Sequence, residues 1–196
     1  MTRVKPIETV YKGYRFRSRL EAKWAIFFEW LQIKFEYEIE GFDFGESGYY
    51  LPDFWLPEFK CWVEIKPNTI SDDLTKQMRK FADNVAPIIC FLGSPNIGWN
   101  GIVYCHDIAD SSVGNYENKI GFAWCQKCKK ATLSFSDEDS SFVRGSRSLH
   151  NYDFTEWNTF CDPEHRDSHT ISELAGAIEA SRQARFEFGE GQKGIL

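Results

Sequence analysis

The arrangement of apolar residues over the first 105 positions constrains the fold more than any other feature of the sequence. Residues 18–31 place large apolar side chains at helical spacing, and residues 72–85 do so again. Stretches with the alternation or continuous apolarity of strands lie at 34–40, 49–56, 60–66, 87–92 and 101–105. The order helix, three strands, helix, strand, strand predicts an α/β unit in which helices pack on a mixed sheet.

Three local signals add detail to this pattern. Ser18 stands three residues before Glu21, which is the spacing of a capping box at the start of the first helix. Pro52 has no amide proton for a sheet ladder, so the strand at 49–56 should lie at an edge or be bulged at that point. The run at 87–92 is apolar throughout, which favours a central strand covered on both faces.

Charged residues recur on two strands that are neighbours in the sequence. Asp53 lies on the second strand, and Glu64 and Lys66 lie two residues apart on the third, so the latter two project from one face of the sheet. If these strands pair, Asp53 can come close to Glu64, and adjacent carboxylates repel each other unless a cation lies between them. Such oxygen ligands suit Mg²⁺, and a lysine beside the ion can hold or deprotonate an attacking water. These residue types in this pattern are equipped for phosphodiester hydrolysis.

At these positions the sequence resembles the PD-(D/E)xK nuclease superfamily. A Pro-Asp pair at 52–53 and Glu-Ile-Lys at 64–66 lie on the second and third strands of an αβββαβ unit, and the resemblance covers about residues 8–105. The segments 11–21 and 50–57 are similar to those of small phage-encoded and prophage-encoded members. The resemblance implies an α/β, restriction-endonuclease-like fold and a divalent-metal-dependent endonuclease that hydrolyses DNA.

The resemblance also implies a role for each site residue. Asp53 and Glu64 would be the carboxylate ligands of a catalytic Mg²⁺ or Mn²⁺, with the Ile65 carbonyl as an accessory ligand. Lys66 would position the nucleophilic water and stabilise the transition state, and Glu21 matches a first-helix acid that some branches use as an extra ligand. DNA is the implied partner. Many members dimerise to cut both strands, so a homodimer is compatible with the resemblance.

The same residues also have structural interpretations. Glu21 can simply complete the capping box, Asp53 can be a turn residue after proline, and Glu64 with Lys66 can be an exposed cross-strand charge pair. Two other functions therefore stay open. One is a nuclease-like nucleic-acid-binding or phage counter-defence protein without hydrolysis, and the other is a zinc-stabilised interaction protein.

The net charge of −6 argues, taken alone, against a partner as anionic as DNA. The charge is uneven, however, because residues 1–25 hold seven basic and only two acidic residues. Arginine suits bidentate phosphate contacts, and Tyr11 and Tyr14, within the same stretch, could stack on unpaired bases. The expected phosphate-contacting residues are Lys12, Arg15, Arg17 and Arg19.

A second chemical motif is the pair Cys125 and Cys128, which has the spacing of a zinc knuckle. Cys161 is the expected third ligand, and His165 follows it at Cys-x3-His spacing as the chosen fourth, in competition with His106, His150 and His169. Such a set forms a closed, structural Zn²⁺ site, while a thiol redox pair or a coincidental spacing is the alternative. The remaining cysteines lie in apolar runs and are expected to pack in the core: Cys61, Cys90 and Cys105.

The chain is expected to divide into a nuclease core at 1–108, a zinc-binding module at 109–170, and a C-terminal helix and tail at 171–196. No run of 18 apolar residues occurs, so no membrane partner is expected. The N-terminal segment lacks an apolar stretch of signal-peptide length, which favours a cytoplasmic location in a bacterium or a phage-infected host.

Overall fold

The computed structural model describes residues 6–45, 48–98, 100–104, 119–135, 165 and 168–186. These segments contain three α-helices, α1 (Arg19–Trp30), α2 (Asp72–Asn84) and α3 (Leu174–Gln183). The predicted helices at 18–31 and 72–85 are confirmed to within a residue or two. None of the helices in the described segments has the length and apolarity that crossing a membrane requires.

Twelve strands lie in the described segments, and most of them are short. The first half of the chain contributes β1 (Thr9–Tyr11), β2 (Tyr14–Phe16), β3 (Glu36–Tyr37), β4 (Phe42–Asp43), β5 (Tyr49–Tyr50), β6 (Phe54–Leu56), β7 (Cys61–Lys66) and β8 (Ile88–Leu92). The remainder are β9 (Gly101–Tyr104), β10 (Lys119–Cys125), β11 (Lys130–Phe135) and β12 (His169–Thr170).

The main sheet is mixed, as the sequence predicts. Its strands follow the order β11-β10-β9-β8-β7-β6-β3, and β12 pairs with β10 beside this path. Strands β7 and β8 are parallel, with α2 connecting them, and the other described pairs of this sheet are antiparallel. Strand β8 stands at the centre and is buried along most of its length, which confirms the prediction of a covered central strand.

Pro52 divides the predicted strand at 49–56 into two. Strand β5 pairs with β4 in a separate two-stranded sheet, whereas β6 enters the main sheet between β3 and β7. The predicted irregularity at Pro52 is therefore a break in the strand, and β6 itself is not at an edge. The missing amide proton of proline explains why the ladder stops there.

The main sheet separates two apolar layers. On one side, α1 packs its aromatic face, including Trp24 and Phe28, against Phe54, Phe91 and Phe122 of the sheet. On the other side, α2 covers a second cluster formed by Trp62, Ile88, Cys90, Met78 and Phe81. Cys61 and Cys90 are buried core residues as predicted, and Cys105 lies outside the described residues.

The described residues after position 118 join the sheet and core of the first half. Strand β10 pairs with β9, and Phe122 of β10 lies 5.4 Å, centroid to centroid, from both Phe27 and Phe91. Helix α3 packs on α1 so closely that a Cβ atom at Gly176 would lie 2.4 Å from the Trp30 ring. The expected boundary at 108/109 lies outside the described residues, between two strands that pair with each other, and the division into domains stays a prediction.

Candidate active site

The three residues of the predicted hydrolytic motif lie on the paired strands β6 and β7. The antiparallel register matches Phe54 with Val63, so one further step places Asp53, immediately before β6, opposite Glu64. Lys66 is the last residue of β7. The expectation that the second and third strands are neighbours holds, and it is what brings Asp53 and Glu64 together.

Asp53 is almost completely buried, with 1% of its surface exposed. Its Oδ2 accepts a hydrogen bond of 2.7 Å from the Ile65 backbone N–H, and its Oδ1 accepts one of 2.6 Å from Arg17 Nη2. The carboxylate is thus fixed between β7 and the segment that precedes α1. It is therefore a positioned side chain inside the protein, although Asp53 itself stands at a bend between β5 and β6.

Glu64 is also buried, at 3% exposure, which does not fit the alternative of an exposed charge pair. Its Oε2 accepts a hydrogen bond of 2.9 Å from the Tyr50 hydroxyl, and its Oε1 pairs with Lys66 Nζ. The same Lys66 ammonium donates to the Ile65 carbonyl at 3.4 Å. One cationic group therefore contacts both the Glu64 carboxylate and the backbone oxygen predicted as an accessory ligand.

The electrostatics follow from burying two acids side by side. Burial and the charge of Glu64 raise the pKa of Asp53 well above its ordinary value, although Lys66 opposes the shift. Burial lowers the pKa of Lys66, but the charges of Glu64 and Asp53 outweigh it and the net shift is upward. Lys66 is therefore held as an ammonium group, which can orient a water and stabilise negative charge but is a poor base.

Glu21 lies in the first turn of α1, where the predicted cap is present. Ser18 Oγ accepts a bond from the Glu21 backbone N–H at 3.2 Å and donates to the Glu21 carboxylate at 2.7 Å. The other carboxylate oxygen accepts from the Arg17 backbone N–H at 3.0 Å and from the Tyr37 hydroxyl at 2.5 Å. Three donors thus hold Glu21 as a capping residue, and its use as an extra metal ligand stays a prediction.

The predicted basic residues are largely engaged with acids of the same chain. Lys12 pairs with Glu29 at 3.0 Å, and Arg15 pairs with Glu8 at 3.0 Å, whereas Arg17 reaches Asp53. Arg19 is the first residue of α1. Of the two tyrosines expected to stack on bases, Tyr11 is buried and donates to Glu29, while Tyr14 is 39% exposed.

Four residues lie at the site although no sequence pattern places them there. Tyr37 and Tyr50 bind Glu21 and Glu64 through their hydroxyl groups. Glu38 pairs with Arg17 Nε, and its φ of 47° ends the predicted strand 34–40 after only two paired residues. Cys90 of β8 is paired with Glu64 of β7, and burial together with that carboxylate raises the pKa of the thiol to about 12.

A separate group of possible metal ligands lies at the far end of the main sheet. Cys125 ends β10, Cys128 lies in the turn before β11, and His165 joins them, with all three ligand atoms within 4.8 Å of one another. His165 Nδ1 is 3.2 Å from Cys128 Sγ and 3.8 Å from Cys125 Sγ. This group can hold a metal ion such as Zn²⁺.

The other predicted zinc ligands are not part of that three-residue group. His169 lies on β12, paired with Cys125 across the strands, but it is not among the three clustered residues. Three of the expected or competing ligands fall outside the described residues: His106, His150 and Cys161. The choice of His165 from the four histidines thus agrees with the structure, and the fourth ligand stays a prediction.

Comparison of the chain with protein-family models, with curated proteins and with solved structures finds no match in any of the three. The fold and the site therefore define the class by themselves. It is a mixed α/β protein with a buried Asp-Glu-Lys group on paired strands and a Cys₂His group that can hold a metal ion.

Proposed function

We propose that the protein is a divalent-metal-dependent endonuclease of the PD-(D/E)xK type, which hydrolyses phosphodiester bonds in DNA. One observation carries the proposal: Asp53 and Glu64 are brought together in the protein interior, with Lys66 bonded to Glu64. Burying two neighbouring carboxylates costs free energy, as the raised pKa of Asp53 shows. A bound cation offsets that cost, so metal binding would explain why the two carboxylates are buried together.

The donor set fits Mg²⁺ or Mn²⁺. Two carboxylates and a backbone carbonyl are hard oxygen ligands, and contact of Lys66 Nζ with both Glu64 and Ile65 shows that one positive centre can reach two of them. When bound, the ion supplies a nucleophilic water and neutralises charge on the phosphate. Asp53 and Glu64 would hold the ion, and Lys66 would orient the water and stabilise the developing negative charge.

The element order supports the same proposal. Helix α1 is followed by β3, β6 and β7, then by α2 and the parallel strand β8, as in the αβββαβ unit of this superfamily. The two-residue β3 and the inserted hairpin β4–β5 are local elaborations of that order. The hairpin has a use at the site, because it supplies the Tyr50 hydroxyl that binds Glu64.

We propose in addition that the Cys₂His group holds a structural Zn²⁺ ion. Its members come from a β-turn and from a segment about 40 positions later, so one ion ties two distant parts of the chain together. Cys161 is the preferred fourth ligand, and the competing histidines are His106, His150 and His169. A closed site of four protein ligands leaves no open position, and its contribution would be to stability.

A cleavage assay tests the nuclease proposal. The purified chain is incubated with plasmid, single-stranded or branched DNA, in Mg²⁺, Mn²⁺ or EDTA. We expect metal-dependent cutting that Asp53→Asn and Lys66→Ala each lower by about a hundredfold or more, because both remove groups that act on the transition state. Folding of each variant is checked by circular dichroism.

The controls are Asp73→Asn and Lys76→Ala, which make the same changes of charge in an exposed pair on α2. Both should cut like the unaltered protein. Cutting by Lys66→Ala at the control rate would contradict the site assignment. Binding of DNA without cutting on any substrate would favour the nuclease-like binding protein instead.

A further inference from the structure

Arg17 reaches the candidate site from outside. Its Nη2 group lies 2.6 Å from Asp53 Oδ1, and its Nε pairs with Glu38. The arginine side chain is 52% exposed, whereas the side chain of Asp53 is 2% exposed. The guanidinium thus spans the distance between a buried carboxylate and the solvent.

The partner that holds Arg17 has an unusual backbone. Glu38 has φ of 47°, a left-handed conformation that glycine adopts easily and glutamate does not. Its backbone N–H donates to the Asp53 carbonyl at 3.0 Å, so the same residue contacts Asp53 through its main chain and Arg17 through its carboxylate. Strained non-glycine residues persist where the surrounding structure requires them, and they are enriched at functional sites.

We propose that Arg17 is a latch on Asp53, which a divalent metal ion must displace in order to bind. This inference rests on the proposed metal-dependent function. A guanidinium is a permanent cation, and a metal ion on the same carboxylate would repel it at short range. The two cations therefore compete for Asp53. Arg17 remains close to Glu38 when it leaves Asp53, on the solvent side of the site.

The released guanidinium would then have a second partner. Its fork of N–H donors matches a phosphate, which approaches from the solvent side on which Arg17 is exposed. A phosphate that draws Arg17 away from Asp53 favours metal binding, and bound metal frees Arg17 for the phosphate. By linkage, metal and DNA each increase the affinity for the other through this one side chain. Arg17 is thus a positioning residue for the metal and a contact for the substrate.

Metal affinity tests the latch independently of cleavage. Binding of Mn²⁺ to the full chain is measured by the paramagnetic resonance of the free ion, without DNA, for the unaltered protein and its variants. Arg17→Met should tighten Mn²⁺ binding by about two- to fivefold, the equivalent of one partly exposed ion pair.

The matched control is Arg15→Met, which removes the same charge from an arginine that pairs with Glu8 on the nearby hairpin. Its Mn²⁺ affinity should match that of the unaltered protein to within a factor of about two. If Arg17→Met binds Mn²⁺ no more tightly than the control does, the latch is overturned. The proposed nuclease site survives that result if Asp53→Asn still abolishes Mn²⁺ binding. If neither the unaltered protein nor Arg17→Met binds Mn²⁺, the metal site is wrong and the latch with it.

Discussion

At the scale of single residues, burial and neighbouring charges decide the protonation of Asp53. Burial and the neighbouring Glu64 favour its protonated form, while Lys66 and the Ile65 N–H favour the charged form without outweighing them. Its pKa in the folded chain is consequently higher than in the unfolded chain. Such a group stabilises the fold fully below its ordinary pKa and loses that contribution as the pH rises through the folded value.

Asp53→Asn should therefore change how stability depends on pH. Asparagine resembles the protonated carboxyl and does not ionise, so the variant escapes the loss at higher pH. We expect the free energy of unfolding of the variant, minus that of the unaltered protein, to increase as the pH is raised above about 4, the ordinary range of an aspartate. Urea unfolding at a series of pH values, with divalent ions absent, measures the difference.

Asp73→Asn serves as the reference, because the Asp73 side chain is 96% exposed. Its stability difference from the unaltered protein should stay flat over the same range. A flat difference for Asp53→Asn as well would mean that the folded site does not disfavour the ionised carboxylate. The electrostatic support for a metal site would then be lost.

At the scale of elements, the helices were the most predictable part of the fold. The apolar spacing of α1 and the serine that begins it locate that helix from the sequence alone, and α2 follows the same logic. Strands β6 and β7 are close in the sequence, which favours their pairing. Since side chains alternate along a strand, that pairing brings Asp53 and Glu64 together. Both signals are local, and local patterns can be read without knowing the rest of the fold.

The elements that sequence reasoning missed depend on backbone conformation or on distant contacts. The strand predicted at 34–40 is shorter in the structure because Glu38 takes a left-handed backbone conformation. The alternation of apolar and charged residues in this segment does not reveal that conformation. The hairpin β1–β2 was not predicted. Its turn, Lys12-Gly13, lies in a segment that was interpreted only as a cluster of basic residues. Contacts such as Arg17 to Glu38 depend on these features, so the outer part of the site could not be predicted.

The contact between α1 and α3 offers a test at this scale. Gly176→Ala would place a methyl group 2.4 Å from the Trp30 ring, so the ring or the two helices must shift. Overpacking of this kind should destabilise the protein by about 1–3 kcal/mol, although alanine is the better helix former. Thermal or urea unfolding measures the loss.

Shortening the aromatic partner should reverse the effect. In a double-mutant cycle with Trp30→Ala, the alanine at 176 no longer meets a ring, so its cost should vanish. A cost of equal size with and without the tryptophan would show that the close helix contact is not its cause. Ala175→Gly, at an exposed position of α3, measures separately how much the exchange of alanine and glycine changes the stability of this helix.

At the scale of the whole molecule, the metal-binding group and the candidate active site belong to one sheet. Strand β10 carries Cys125 at its end and Phe122 in the main core, where the ring contacts α1 and β8. Helix α1 begins next to Arg17 and Glu21, and α3 covers it from the C-terminal part of the chain. The stability of each region therefore depends on the other.

Removing zinc should unfold more than the metal site. If the purified chain holds about one zinc ion, as elemental analysis would show, chelation should destabilise it by about 4 kcal/mol for an ion present at a thousandfold its dissociation constant. The loss should appear as one cooperative transition, and Cys128→Ser should reproduce it. Tryptophan fluorescence and circular dichroism should follow the same curve, because Trp24 lies in the shared core.

The control for that experiment is Lys127→Ala. Lys127 lies between the two cysteines in the sequence but is not a proposed ligand. Its unfolding should match that of the unaltered protein. A chelated chain that unfolds in two separate steps, or that keeps its full stability, would contradict the coupling between the two regions.

The continuity of the sheet also bears on how such a protein can change over evolutionary time. A metal-binding module attached through a linker can be gained or lost as a cassette, with little effect on its neighbour. Here the hairpin β10–β11 supplies the hydrogen-bonding partner of β9 and an aromatic ring of the main core. Its loss would leave an unpaired strand edge and an uncovered apolar face, the combination that promotes aggregation. The hairpin β10–β11 and the first half of the chain are therefore expected to be inherited together.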